Sequence, residues 1–249
     1  MRHYVSMRIR IKYGSAVAVS TAAVLLVASC GASGKGASTA SPGSGHSAAA
    51  LTDDQVDSLL LTDKDQPGYY FDASLDVKST TDSPALVTAG GSECQSFRDA
   101  ENALSTKYGT TVDAMRTLTA NDGPGMIQDA VQVMPSTEKA SALMSDLTAG
   151  LKGCRAFTET EQNQPVPITL TAISQMAGAD RVGYTTNANV QGSTLVTATY
   201  VVRVGPAVVS IMEVETAKDG AVPLPQAEAT LVRLSDVEVG RLKSAEGVS

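Results

Sequence analysis

Thr194-Leu195-Val196-Thr197-Ala198-Thr199-Tyr200-Val201-Val202-Arg203-Val204 decides the fold class of this chain. Val196, Ala198, Tyr200, Val202 and Val204 fall on one side of an extended strand, and Leu195, Thr197, Thr199 and Arg203 on the other. Side chains alternate across a strand, so this pattern gives one apolar face and one mostly polar face, as in an antiparallel sheet with one face covered and one wetter. Short connections flank the strand, Gln191-Gly192 before it and Gly205-Pro206 after it, and both suit hairpins. The neighbouring segments Arg155–Glu161, Ile168–Ser174, Asp180–Ala188 and Ala207–Glu215 also read as strands. Together they make a meander.

Helical periodicity lies outside this β-rich block. Ser136 caps the clearest helix, in which Ala140, Leu143, Met144, Leu147 and Leu151 share a face and Gly153 ends it. Upstream, Ser92-Glu93-Cys94-Gln95 offers a cap, and Phe97, Ala100, Leu104 and Tyr108 are spaced by three and four. Thr52 with Gln55 resembles a capping box for a short helix carrying Val56, Leu59 and Leu60. A terminal helix runs from Pro225 to about Lys243 with Ala227, Leu231, Leu234 and Leu242 inward, and Ser235 with Glu238 could restart it after a break. Met126–Met134 reads as a strand, and Thr110–Ala120 fits either a strand or irregular structure. The expected fold is α+β, a mostly antiparallel meandering sheet with helices packed on one face.

The N-terminus has a different character. Arg2, Arg8, Arg10 and Lys12 precede an apolar run from about Ala16 to Val27, which reads as a secretory signal too short to span a bilayer. Met7 is an alternative start to Met1. Val27-Ala28-Ser29 before Cys30, with Gly31 after it, resembles a bacterial lipobox. The chemistry implied is diacylglyceryl transfer to the Cys30 thiol and cleavage after Ser29, and two acyl chains suffice for stable anchoring. Residues 30–50 are then a lipidated cysteine and a flexible Gly/Ser/Ala tether, and 51–245 a single folded domain. The expected location is the extracytoplasmic face of the cell membrane.

Charge and cysteine usage agree with that location. Removing the four basic residues before Cys30 from the total of 19 leaves 15 against 26 acidic ones, a net charge of −11. Such a surface argues against nucleic acid as a partner and leaves membrane attachment to the lipid. Lipidation of Cys30 leaves Cys94 and Cys154 in an oxidising compartment, where a disulfide between them is expected over two buried free thiols.

Catalytic patterns are not found. The only histidines are His3 and His46, both before the folded domain, so Ser-His-Asp and Cys-His catalysis and His-based zinc sites have no donor there. No phosphate-cradling glycine loop occurs. Asp63, Asp65 and Asp72 lack calcium-loop spacing, and no metal or cofactor is expected. The aromatic cluster Tyr69-Tyr70-Phe71 is the candidate for binding, in a chain with seven Tyr and three Phe. On a strand Tyr70 would face one way and Tyr69 and Phe71 the other. Either they form a core strand with one ring at its edge or they line a ligand cleft.

The lipobox, Cys94 before a helix, Val131-Gln132-Val133 on a strand, the helix from Ser136 to Cys154, the late hairpins and the terminal helix form one pattern. It is similar to that of actinobacterial lipoproteins related to the extracellular sensor domain of the mycobacterial kinase PknH, over about Ser92 to Ala245. The family pattern has more than one disulfide, whereas one cysteine pair is available here. The resemblance implies a non-enzymatic domain with a ligand-binding cleft. The reading from sequence is a membrane-anchored sensor or binding lipoprotein, with a carrier of lipid or another hydrophobic molecule as the alternative. Its partners are the membrane, through the N-terminal lipid, and a small molecule or envelope protein; the oligomeric state is left open.

Overall fold

The computed structural model describes residues 51–73, 75, 87–123, 125–161, 164–190, 193–217 and 224–246. Cys30, the tether and the Gln191-Gly192 connection lie outside them. One nine-stranded sheet forms the centre, with every neighbouring pair antiparallel. Its strands are β1 (Tyr69–Phe71), β2 (Val87–Ala89), β3 (Val112–Ala120), β4 (Met126–Val133), β5 (Ala156–Glu161), β6 (Gln164–Ala172), β7 (Arg181–Val190), β8 (Ser193–Val204) and β9 (Ala207–Ala217). They run in the order β1-β3-β4-β9-β8-β7-β6-β5-β2. The helices are α1 (Asp53–Leu59), α2 (Gly91–Asn102), α3 (Thr137–Gly153) and α4 (Leu224–Glu246). A π-helical turn, Leu104–Tyr108, extends α2, and a 3-10 turn, Ser174–Met176, follows β6.

Local chemistry sets several boundaries as read from the sequence. The Thr52 hydroxyl accepts from the Gln55 N–H at 3.3 Å and the Gln55 side chain accepts from the Thr52 N–H at 2.9 Å, which completes the capping box of α1. The Ser136 hydroxyl accepts from the Lys139 N–H at 3.4 Å and starts α3. Gly205, at φ 56°, turns β8 into β9. Thr110–Ala120 resolves as strand over Val112–Ala120. Other boundaries differ. Helix α2 begins after Gly90 rather than at Ser92, because Gly90 at φ 131° presses its backbone against Phe157. Ser235 lies inside an unbroken α4.

The helices lie on both faces of the sheet, not on one. Cross-strand register places Val131, Val209 and Ile211 on the same face, where α1 and α4 cover them with Leu231, Leu234 and Leu242. Val182, Val201 and Val208 point the other way, into a second core with α2 and α3. The alternation that suggested one covered face breaks at Val201-Val202 and again at Ala207-Val208-Val209. Uninterrupted apolar runs of this kind mark strands buried on both faces.

The two helix pairs are offset along the sheet. Helices α1 and α4 sit over β3, β8 and β9, and α2 with α3 over β5 through β9. On the α4 side, Pro165, Pro167, Thr169 and Thr171 of β6 stay exposed. Helices α2 and α3 approach closely because Gly150 faces Phe97 and Gly153 faces Glu93 with no room for a Cβ. The Cys94–Cys154 disulfide ties the first turn of α2 to the end of α3, with the two Cα atoms 4.8 Å apart. Both cysteines are buried.

Candidate functional site

The aromatic cluster divides as strand geometry requires. Strand β1 pairs with β3, so Tyr70 sits opposite Thr119 and points away from the α1–α4 side. Tyr69 and Phe71 point toward that side, opposite Ala120 and Leu118. Phe71 lies under the Arg116 guanidinium, 4.9 Å from ring centre to charge, and Tyr69 packs against the α1–α4 core. Burial, with Glu213 and Glu215 nearby, raises the Tyr69 hydroxyl above the ordinary tyrosine range. Tyr69 serves the fold, whereas Phe71 remains 40 % exposed beside Arg116. Tyr70, 45 % exposed, is the one that looks onto the opposite face.

On Tyr70's face the register builds two rows across four strands. One runs Thr119, Met126, Val214, Thr197, from β3 through β4 and β9 to β8. The next runs Thr117, Gln128, Met212, Thr199. Met126, Met212 and Val214 belong to neither helix-covered core. Thioether side chains give such a surface an adaptable apolar lining. Its polar groups stand out in another way. The hydroxyls of Thr117 and Thr119 are buried and have no hydrogen-bond partner, and Thr117 is only 1 % exposed. A buried hydroxyl left unpaired costs on the order of 1–3 kcal/mol, so two on one face constitute an open demand for hydrogen bonds.

The far side of the same face is satisfied. The Thr186 and Thr197 hydroxyls pair at 2.6 Å, and the Tyr184 hydroxyl donates to Glu101. Arg98 binds Glu101 and Glu159. Burial alone would lower the Arg98 pKa, but the two carboxylates outweigh it and hold the guanidinium firmly charged. Beneath α2, Phe97 meets Tyr184 edge to face with ring centres 5.2 Å apart. This network closes one end of the strip of threonines and methionines.

Sequence reading missed the buried charges between α4 and the sheet. Asp129 on β4 and Glu238 on α4 are both fully buried, and their carboxyls lie close enough to interact directly. Asp129 Oδ2 also accepts from the Leu61 N–H at 2.6 Å. The signal was present: Glu238 falls on the helical stripe of Leu231, Leu234 and Leu242, and Asp129 alternates with Ile127 and Val131. Each is a carboxyl at a core position of its own periodicity.

A groove of about 450 Å³ lies on the exposed half of the α4 side, lined by Thr158, Pro167, Thr169, Asn187 and Asn189 among others. None of these side chains has a buried unpaired atom. Among the described residues no group of carboxylates and cysteines is arranged to hold a metal ion. Asp65, one of the three aspartates weighed for calcium, instead accepts from the Thr62 N–H at 2.7 Å and pairs with Arg241 at 2.6 Å. No helix among the described residues is long and apolar enough to cross a membrane.

Comparison with known proteins places the chain. Residues 41–231 match the PknH-like extracellular domain. The crystal structure of the extracellular domain of PknH from Mycobacterium tuberculosis is similar at a TM-score of 0.57 and 15 % identity, covering 78 % of this chain and 99 % of that one. A START superfamily protein from Mycobacterium smegmatis is similar at a TM-score of 0.27 and 15 % identity, covering 48 % of this chain and 97 % of its own. No curated protein sequence matches. The nine-stranded antiparallel sheet is thus shared with the PknH domain as a fold, and the chain belongs to the family of PknH-like extracellular domains.

Proposed function

We propose that this protein is a lipid-anchored binding domain on the extracytoplasmic face of the membrane, without catalytic activity, and that its ligand seats on the strip between Tyr70 and Thr199. The observation that carries this reading is the pair of buried, unpartnered hydroxyls of Thr117 and Thr119. They stand on a surface with Met126 and Met212 that neither core fills. The matching ligand is a small, largely apolar molecule with two hydrogen-bonding groups set along the strand, and Tyr70 forms the rim. Cys30 supplies the anchor, by the chemistry of its lipobox. The folded region carries no histidine, which removes Ser-His-Asp and Cys-His catalysis and supports a binding role.

Native mass spectrometry of the full chain purified from membranes tests both parts. A diacylglyceryl adduct on the intact mass that a Cys30→Ser variant lacks supports the anchor, and an unmodified thiol sinks it. A retained small molecule that is lost on denaturation, and lost from the T117V/T119V double variant, supports the strip. Valine is nearly isosteric with threonine but cannot hydrogen-bond. Free of ligand, T117V is therefore expected to be about 1 kcal/mol more stable than the parent in urea unfolding. A double variant that retains the molecule unchanged defeats this site, and a co-purified acyl lipid moves the carrier reading ahead.

A further inference from the structure

Asp129 and Glu238 impose a condition that charge alone cannot meet. Both are 0 % exposed, and their carboxyls lie close enough to interact directly. Two ionised carboxylates have only acceptors, so this contact needs one hydrogen between them. Asp129 Oδ1 and both Glu238 oxygens have no hydrogen-bond donor around them, so a proton held between the two carboxyls is what would satisfy them.

The surrounding charges do not replace that hydrogen. From β3, Arg116 lies in register with Asp129, but its guanidinium donates to the carbonyls of Leu60, Leu61 and Asp57 and to the Asp57 carboxylate. On α4, Arg241 donates to the carbonyls of Leu59 and Leu60 and to Asp65. The terminal nitrogens of both arginines thus go to the end of α1 and the loop after it, while the buried Arg116 Nε has no partner, and both charges favour a single negative charge on the pair. From β9, Ile211 faces Asp129, and the acids on that face, Glu213 and Glu215, follow it two and four residues further along the strand. Strand β8 presents Tyr200 opposite Ile211. The Leu61 N–H, bound to Asp129, brings the α1 terminus into the same cluster.

We propose that one proton shared between Asp129 and Glu238 latches α4 and the end of α1 to the sheet, and that its removal frees these two elements while α2 and α3 stay docked on the opposite face. With the proton present, the pair carries one negative charge beside two arginines that are themselves ion-paired to Asp57 and Asp65. Without it, two fully buried carboxylates repel each other and leave acceptors facing acceptors.

The pH direction follows from the same contacts. Burial pushes the Glu238 carboxyl well above its ordinary value of 4.5, and the neighbouring Asp129 adds to this; burial also raises Asp129. A carboxyl whose folded-state pKa is raised contributes stability that is whole below its unfolded value. That contribution is lost as pH climbs through the folded value. The latch is therefore an alkaline-release device, closed in acid.

Amide hydrogen exchange on the full chain, corrected for intrinsic rates, tests it at about pH 6 and about pH 9. Protection across Leu231–Leu242 and at Leu61 is expected to fall by about tenfold or more at the higher pH, with α2 and α3 unchanged. The E238Q variant keeps a hydrogen-bond donor for Asp129 but cannot ionise, so its protection is expected to hold at both pH values. Uniform protection in the parent, or a parallel loss in E238Q, overturns the proposal. Should E238Q fail to fold, infrared spectroscopy of the parent decides. A protonated-carboxyl carbonyl band must be present at about pH 6 and must fade as α4 protection falls. Its absence at about pH 6 overturns the latch.

Discussion

Removing the Cys94–Cys154 bridge is the most direct quantitative trial of the α2–α3 assembly. The cysteines are separated by 60 residues. In the chain-entropy relation a closed loop of that length removes about 14 cal/mol/K from the unfolded ensemble, or roughly 4 kcal/mol at 25 °C. For a domain of this size that corresponds to a melting temperature lower by roughly 8–16 °C. The assay is urea unfolding of the parent and the Cys94→Ala/Cys154→Ala variant, followed by far-ultraviolet circular dichroism. The denaturant slope discriminates as well as the midpoint. Freed of the cross-link, the unfolded chain expands, so m should rise in the variant while the folded spectrum stays the same. A loss below about 1 kcal/mol with an unchanged slope would refute the reasoning. It would mean that the close seating of Gly150 on Phe97 holds the two helices and that the bridge restrains little.

Three further substitutions probe packing, helix propensity and capping. A Cβ at Gly150 would lie 2.6 Å from Phe97 Cβ and 2.9 Å from its Cα, so G150A should cost about 1–3 kcal/mol in a denaturant melt. On α4, where a Cβ at Gly240 meets nothing within 4 Å, G240A should stabilise by about 0.5–1 kcal/mol. T52A removes the capping-box hydroxyl of α1 and should cost about 1 kcal/mol, read in the same melt.

Much of the fold was legible because local chemistry carried it. Thr52 with Gln55, Ser136 with the stripe ending at Leu151, and the turn at Gly205 each specify their element through neighbours in sequence. The cysteine pair followed from compartment and number. Strand β2 was not legible, since Val87-Thr88-Ala89 is too short to show a period and is ordered by pairing with β5, about 70 residues away. The second covered face was encoded in Ala207-Val208-Val209, but a single polar-looking strand, Thr194–Val204, outweighed it. Asp129 and Glu238 were overlooked for a related reason. A carboxyl on an apolar stripe is easily passed over as a surface residue, and only the approach of α4 to β4 shows that the two meet. Tyr69-Tyr70-Phe71 shows the reverse. Strand alternation, already readable in the sequence, divides the three rings and leaves Tyr70 on the candidate face.

The two edges of the sheet have a consequence for behaviour in a crowd. The strands of 12 and 11 residues, β8 and β9, lie in its interior, whereas β1 and β2 at its borders have three residues each. The β2 pairing is also irregular in register. An unpaired border of three residues offers about 10 Å of backbone to an incoming strand, too little to template its addition. The border strands themselves therefore give a neighbouring molecule little backbone on which to extend the sheet.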